Sequence, residues 1–219
     1  MHRRLYVVGG IGSGKSTISK LLAHKLKALR YPEFGLNKKD HNEALGAILR
    51  NYEGVEPVTT MNLQHELFIR SCSRETAFKK LPYIRDYVVF DNHPLAVIAF
   101  TSFYSLNGSI AVPNALETNR KMWAVLEKAE NPKDTFILLR TPVKDQMKNI
   151  RKRARANEPE AFDKHDLMML NALIESFLMA SNLSADIMIV ENQGTPEESA
   201  DGIIRLLEQE PPTFCFDED

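Results

Sequence analysis

Gly9-Gly10-Ile11-Gly12-Ser13-Gly14-Lys15-Ser16 is the stretch on which the reading of this chain turns. It satisfies the pattern G-x-x-x-x-G-K-[ST]. Before it runs Leu5-Tyr6-Val7-Val8, a continuous apolar segment of the kind a buried parallel strand requires. After it, from Lys15 to about Lys27, Ile18, Leu21, Leu22 and Leu26 recur at helical spacing. A glycine-rich turn between a strand and a helix lets successive backbone N–H groups point inward around an anion. The helix start adds free N–H groups and the positive end of its dipole. Lys15 is then placed to reach the β- and γ-phosphates of a nucleoside triphosphate such as ATP, and Ser16 to ligate Mg²⁺. Gly9, Gly10, Ile11, Gly12, Ser13, Gly14, Lys15, Ser16 and Thr17 make up this expected ATP site. The alternative is a glycine-rich turn without a ligand, but a lysine and a serine at those two places serve no packing purpose.

Four further strands follow: Leu29-Arg30-Tyr31 before Pro32, Val88-Val89-Phe90 before Asp91, Thr135 to Leu139, and Ile187 to Val190. Helical patterns occupy roughly 43–51, 61–80, 94–104, 113–129, 143–156, 164–182 and 196–209. Strands alternating with helices imply a parallel sheet covered on both faces. The expected organisation is one α/β domain over residues 1–210, with an acidic tail at 211–219 that holds Pro211-Pro212 and ends Asp217-Glu218-Asp219.

The chain has 219 residues, 43% hydrophobic and 26% charged, enough for one full core. Its formal net charge is -1, so no overall field holds it to nucleic acid or an anionic membrane. Cys72 and Cys215 fit no C-x-x-C pattern, and no apolar run reaches the length of a signal peptide or a membrane span. A reduced, cytoplasmic setting is the expectation. Among nucleotide users, the N-K-x-D segment with which GTPases read guanine is absent, as are signature-bearing insertions of transport ATPases. A small-molecule kinase remains.

His41, His65 and His93 lack metal-ligand spacing and are read as surface or core residues. Phe100, Phe103 and Tyr104 are read as packing groups, and Trp123 as core or dimer interface.

In several motifs between the first strand and about residue 182, the chain resembles the deoxynucleoside kinase family. The loop resembles that family's G-x-I-G-S-G-K-[ST]; thymidylate kinases, the nearest relatives, usually carry an acidic residue where this chain has Ile11. The resemblance implies a P-loop kinase fold, a five-stranded parallel sheet flanked by helices with an arginine-rich helical lid at about 148–160. Tyr31-Pro32-Glu33 resembles in position the family's E-P segment, with the order reversed. It implies Glu33 as the base for the 5′-hydroxyl. Leu29-Arg30-Tyr31-Pro32-Glu33 also resembles the thymidylate kinase L-R-F-P-E. Tyr52-Glu53 with Leu63-Gln64 resembles Y-E-x-P-E-R-W-x-F-x-L-Q without its tryptophan and with one extra residue. This implies that Tyr52 binds the sugar 3′-hydroxyl and Gln64 reads the base, and it demotes Glu56 of Glu56-Pro57-Val58 to a helix lead-in. Arg70 and Arg74 are both candidates for the arginine that supports the base and sugar, neither at the family spacing.

Asp91-Asn92-His93-Pro94 resembles the D-R-H-P of herpesviral thymidine kinases, which implies Asp91 as a water-mediated Mg²⁺ ligand. Asn92 replaces the family's arginine beside the transferred phosphate. An amide supplies no charge, so reduced turnover or compensation by another arginine is expected. Arg153, Arg155 and Glu158 fit the lid pattern R-x-x-x-R-x-R-x-x-E, with Asn149 in place of its first arginine and Arg151 or Lys148 as stand-ins. The lid arginines are expected to meet the transferred phosphoryl and Glu158 the 3′-hydroxyl. The implied activity is transfer of the ATP γ-phosphoryl to the 5′-hydroxyl of a deoxyribonucleoside by a homodimer. Phosphorylation of thymidylate and a nucleotide-binding pseudokinase are the alternatives.

Overall fold

The computed structural model describes residues 3–32, 57–79, 86–128, 134–153, 162–181 and 186–209. Five strands, β1 (Arg3–Val8), β2 (Leu29–Tyr31), β3 (Tyr87–Asp91), β4 (Asp134–Arg140) and β5 (Asp186–Glu191), form one sheet in the order β2-β3-β1-β4-β5. Every pairing is parallel, with Leu5 opposite Val89 on one side and Thr135 on the other. Seven helices stand among the described residues: α1 (Lys15–Lys25), α2 (Pro57–Lys79), α3 (Leu95–Leu106), α4 (Val112–Glu127), α5 (Val143–Arg153), α6 (Lys164–Ala180) and α7 (Pro196–Glu208). The sheet is therefore the expected one: β2 has the expected bounds, and the other four strands extend a residue or two beyond theirs. The helical pattern read at 43–51 lies outside the described residues.

Alternation along the strands divides the core into two layers. Leu5 and Val7 of β1, with Val89, Ile137 and Leu139, pack against Ile18 and Leu22 of α1 and Ile203 and Leu207 of α7. Tyr6, Val8, Phe90 and Phe136 face the other way, onto Phe103 of α3, Ile150 of α5 and Leu167, Leu170 and Ile174 of α6. On that face Tyr31, Phe90, Tyr6 and Phe136 occupy adjacent strands in register and stack at centroid distances of 5.2, 4.9 and 5.2 Å. Aromatic contacts across strands fix register, because a one-residue slip would carry each ring to the opposite face. A third cluster seats Phe68 of α2 and Met122 and Leu126 of α4 on Leu95 and Ile98 of α3. Phe103 is buried with Tyr104 beside it, and Trp123 lies against Phe177.

At the amino end of the strands, Arg4 forks onto Asp134 through Nε–Oδ1 at 2.5 Å and Nη2–Oδ2 at 2.6 Å, both side chains buried. The carboxyl end carries the glycine loop. Among the described residues no helix is long and apolar enough to cross a membrane.

Candidate active site at the carboxyl end of the sheet

The loop joins β1 to α1, which begins after Gly14. Gly12 has φ of 73°, and a Cβ there would stand 2.6 Å from the Gln146 carbonyl of α5. At Gly10 a Cβ would overlap Asn171 Oδ1 of α6 at 1.9 Å. Gly12 therefore needs to be glycine both for chain direction and for the close approach of α5, whereas at Gly10 the Asn171 side chain would have to turn aside. Lys15 Nζ donates to the carbonyls of Gly9 at 2.9 Å and Gly10 at 2.8 Å, which holds the ammonium on the loop.

Side chains that the sequence reading did not single out as part of the site brace the loop from outside. The Ser13 carbonyl accepts from Thr141 Oγ1 and from Asn192 Nδ2, each at 2.9 Å. Asn192 Oδ1 in turn accepts from Ser199 Oγ of α7 at 2.7 Å. Asn149 Nδ2 donates to the Gly12 carbonyl at 2.8 Å, so the residue in place of the first lid arginine ties α5 to the loop. Asn192 directly follows β5; its place at the carboxyl end of a parallel strand is the signal that marks it.

On the other flank, Asp91 closes β3 opposite Val7. Its side chain is 2% exposed. Oδ2 accepts from Arg30 Nη2 at 2.9 Å, and Oδ1 is buried with no hydrogen-bond partner among the described residues. Asn92 has φ of 69°, a left-handed conformation that asparagine tolerates better than other non-glycine residues. Its backbone N–H donates to the Val7 carbonyl at 3.0 Å. Arg74 of α2 clamps this segment from above, donating to the Asp91 carbonyl at 2.8 Å, the Asn92 carbonyl at 2.9 Å and the Pro32 carbonyl at 3.4 Å, with its guanidinium 5.2 Å from the Phe90 ring centre. Arg70 instead pairs with Glu66 on its own helix face at 2.6 Å and makes no hydrogen bond to another candidate residue among the described residues. Gln64 of α2 is 2% exposed, its Oε1 buried and without a partner among the described residues. A buried amide oxygen left in that state marks a place where a further polar group is expected.

His93 is a core residue, edge-on to Tyr6 and Phe136 at 4.7 and 4.9 Å. Burial, with the charges of Arg74 and Arg4 added, holds its imidazole well below the usual value of 6.5. Glu33, Tyr52, Arg155 and Glu158 lie outside the described residues. Arg153 ends α5, its side chain likewise outside them.

For a divalent cation the donor set fits: one buried carboxylate oxygen without a hydrogen-bond partner among the described residues, and the exposed Ser16 in the first turn of α1, whose carbonyl shares Arg30 Nη2 with the Asp91 carboxylate. Fold and loop together define a P-loop nucleotide-binding kinase. The deoxynucleoside kinase family model matches residues 5–209, and the chain belongs to that family. The architecture is similar to solved structures of deoxyadenosine kinase from M. mycoides. The one holding the products dCMP and a flexible dCDP shares 18% identity at a TM-score of 0.74, over 94% of this chain and 98% of that one. The dCTP-bound structure gives 18% and 0.73 over the same shares. The dATP-bound structure gives 19% and 0.74 over 94% and 99%. Among curated proteins none matches the chain.

Proposed function

We propose that this chain transfers the γ-phosphoryl group of ATP to the 5′-hydroxyl of a deoxyribonucleoside. The observation that carries the reading is the arrangement along α2. Arg74 fastens that helix to the end of β3, and Gln64, with its unpartnered buried amide oxygen, stands about 15 Å back along the same helix axis. This is room for an acceptor between a phosphate-binding end and a base-reading end. In the transfer, the bond from the γ-phosphorus to the β,γ-bridging oxygen breaks and a bond to the 5′-oxygen forms. The 5′-hydroxyl proton passes to Glu33, and ADP leaves. Lys15 and the loop N–H groups hold the donor phosphates. Arg153 and Arg155 close onto the transferring group from a lid over residues 148–160, and Tyr52 and Glu158 take the 3′-hydroxyl. Ser16 and, through water, Asp91 would hold Mg²⁺, whose chemistry there would be neutralisation of phosphate charge.

The arginine contacts favour a nucleoside over thymidylate. A monophosphate acceptor needs an arginine for its 5′-phosphate, whereas Arg74 is engaged with main-chain carbonyls and Arg70 with Glu66. The exposed Val112 and Leu116, one turn apart on α4, are consistent with a homodimer. An ATP-consumption assay against each deoxynucleoside and against thymidylate tests the reading. Phosphorylation of at least one deoxynucleoside is expected, and activity on thymidylate alone overturns it.

A further inference from the structure

Arg30 sits on the shortest strand of the sheet, opposite Val89, where its side chain reaches across toward the loop helix. Its guanidinium is bound on three sides. Nε donates to Ser19 Oγ at 2.9 Å, and Nη2 donates to the Asp91 carboxylate at 2.9 Å and to the Ser16 carbonyl at 3.3 Å. A guanidinium carries five N–H donors. The two on Nη1 make no hydrogen bond among the described residues, and the side chain keeps 27% exposure.

These contacts place a fixed positive charge between the first turn of α1 and the carboxylate at the end of β3. This is the flank of the loop away from Asn192. The residue at that turn, Ser16, is the one expected to face the metal, between the last two phosphates of a donor. A buried carboxylate beside a triphosphate is repelled by it unless a cation intervenes. The neighbouring Asn92 supplies none, and the arginine clamping Asn92 is spent on carbonyls.

We propose that Arg30 is the positioning residue for Asp91 and adds a fixed positive charge at the terminal phosphate of the donor, beside Lys15 and on the flank that Asn92 leaves uncharged. Its bond to Oδ2 leaves Oδ1 for a metal to use, and its two Nη1 donors, unengaged among the described residues, are left for the phosphoryl group that leaves ADP. The proposal rests on the nucleoside kinase reading for its acceptor but not for its donor, and the test uses that difference.

The full chain, R30A and R30K are titrated calorimetrically with ADP·Mg²⁺ and with the β,γ-imido analogue of ATP·Mg²⁺, then assayed for nucleoside phosphorylation. For R30A the imido analogue is expected to bind about tenfold more weakly, with ADP affinity held within about threefold, because the lost charge faces the terminal phosphate alone. The kcat is expected to fall about 100-fold while KM for the nucleoside moves little. R30K keeps the charge without the fork, so it should recover analogue affinity in part and kcat poorly. Equal weakening of both nucleotides, or kcat at the wild-type level, overturns the proposal. Should R30A fail to fold, R30K decides: wild-type kcat with an unchanged affinity ratio overturns it. A wild-type protein that phosphorylates no nucleoside overturns the proposed function instead, and the affinity ratio still judges Arg30.

Discussion

At the loop, Lys15 shows how one residue serves a ligand and not the core. Lys15 Nζ bonds the carbonyls of Gly9 and Gly10 on the loop itself, and its side chain belongs to neither apolar layer of the core, so truncation takes a charge from the loop rather than packing from the sheet. Lys15→Ala should lower kcat by at least about 100-fold, with a melting temperature within about 4 °C of wild type by thermal unfolding. Near-normal kcat would remove the basis for the kinase reading. The loop was legible because its chemistry is local: glycines, lysine and serine adjoin in sequence. Arg30 was not, since an arginine in L-R-Y carries no mark of its purpose until β3 brings Asp91 beside it. Asn92 was legible only as a departure. Its left-handed backbone supplies a physical reason for an asparagine there, and an arginine in that conformation would carry about 1 kcal/mol or more of strain.

The elements were readable from periodicity because both kinds of pattern are clear here: apolar runs of three to five residues for every strand but β2, whose Leu29-Arg30-Tyr31 carries a charge, and helical spacing between them. Long-range pairings were not, and the Arg4–Asp134 fork is the clearest case. In sequence Arg4 belongs to a basic N-terminal run, whereas in the fold it is buried at the amino end of β1 against β4. Arg4→Met leaves Asp134 buried without its cation and should cost about 3–5 kcal/mol in urea unfolding. Replacing both partners with apolar residues should cost much less. Since the pair lies at the opposite end of the strands from the loop, kcat per folded molecule should be unchanged in either variant. Equal losses for the single and double changes would mean that the fork does not act as a pair.

For the molecule as a whole, pH stability has an alkaline edge set by burial. Tyr31 and Tyr104 both have their phenol ionisation pushed above the usual value of 10 because the charged form would lose its water. In the unfolded chain they ionise near 10, so the folded state holds protons that the unfolded state has released. The stability they contribute is complete below pH 10 and is lost as pH rises through the folded values. Denaturant midpoints measured from pH 8 to 11 should fall most steeply beyond 10, and Tyr104→Phe should flatten that fall. A slope identical to wild type would show that Tyr104 ionises alike in both states. The position of β1 at the centre of the sheet has a separate outcome for how the chain acquires its structure. β1 precedes in the chain both of the strands it pairs with, so Leu5 waits for Val89 and then for Thr135 before it is covered on either side. Loop closure over such separations is slow, and the apolar Leu5-Tyr6-Val7-Val8 is exposed meanwhile. On the ribosome, the phosphate loop therefore takes shape only after β4 has been synthesised, and a stalled or truncated product ending before that strand would be a sticky fragment rather than a weak enzyme.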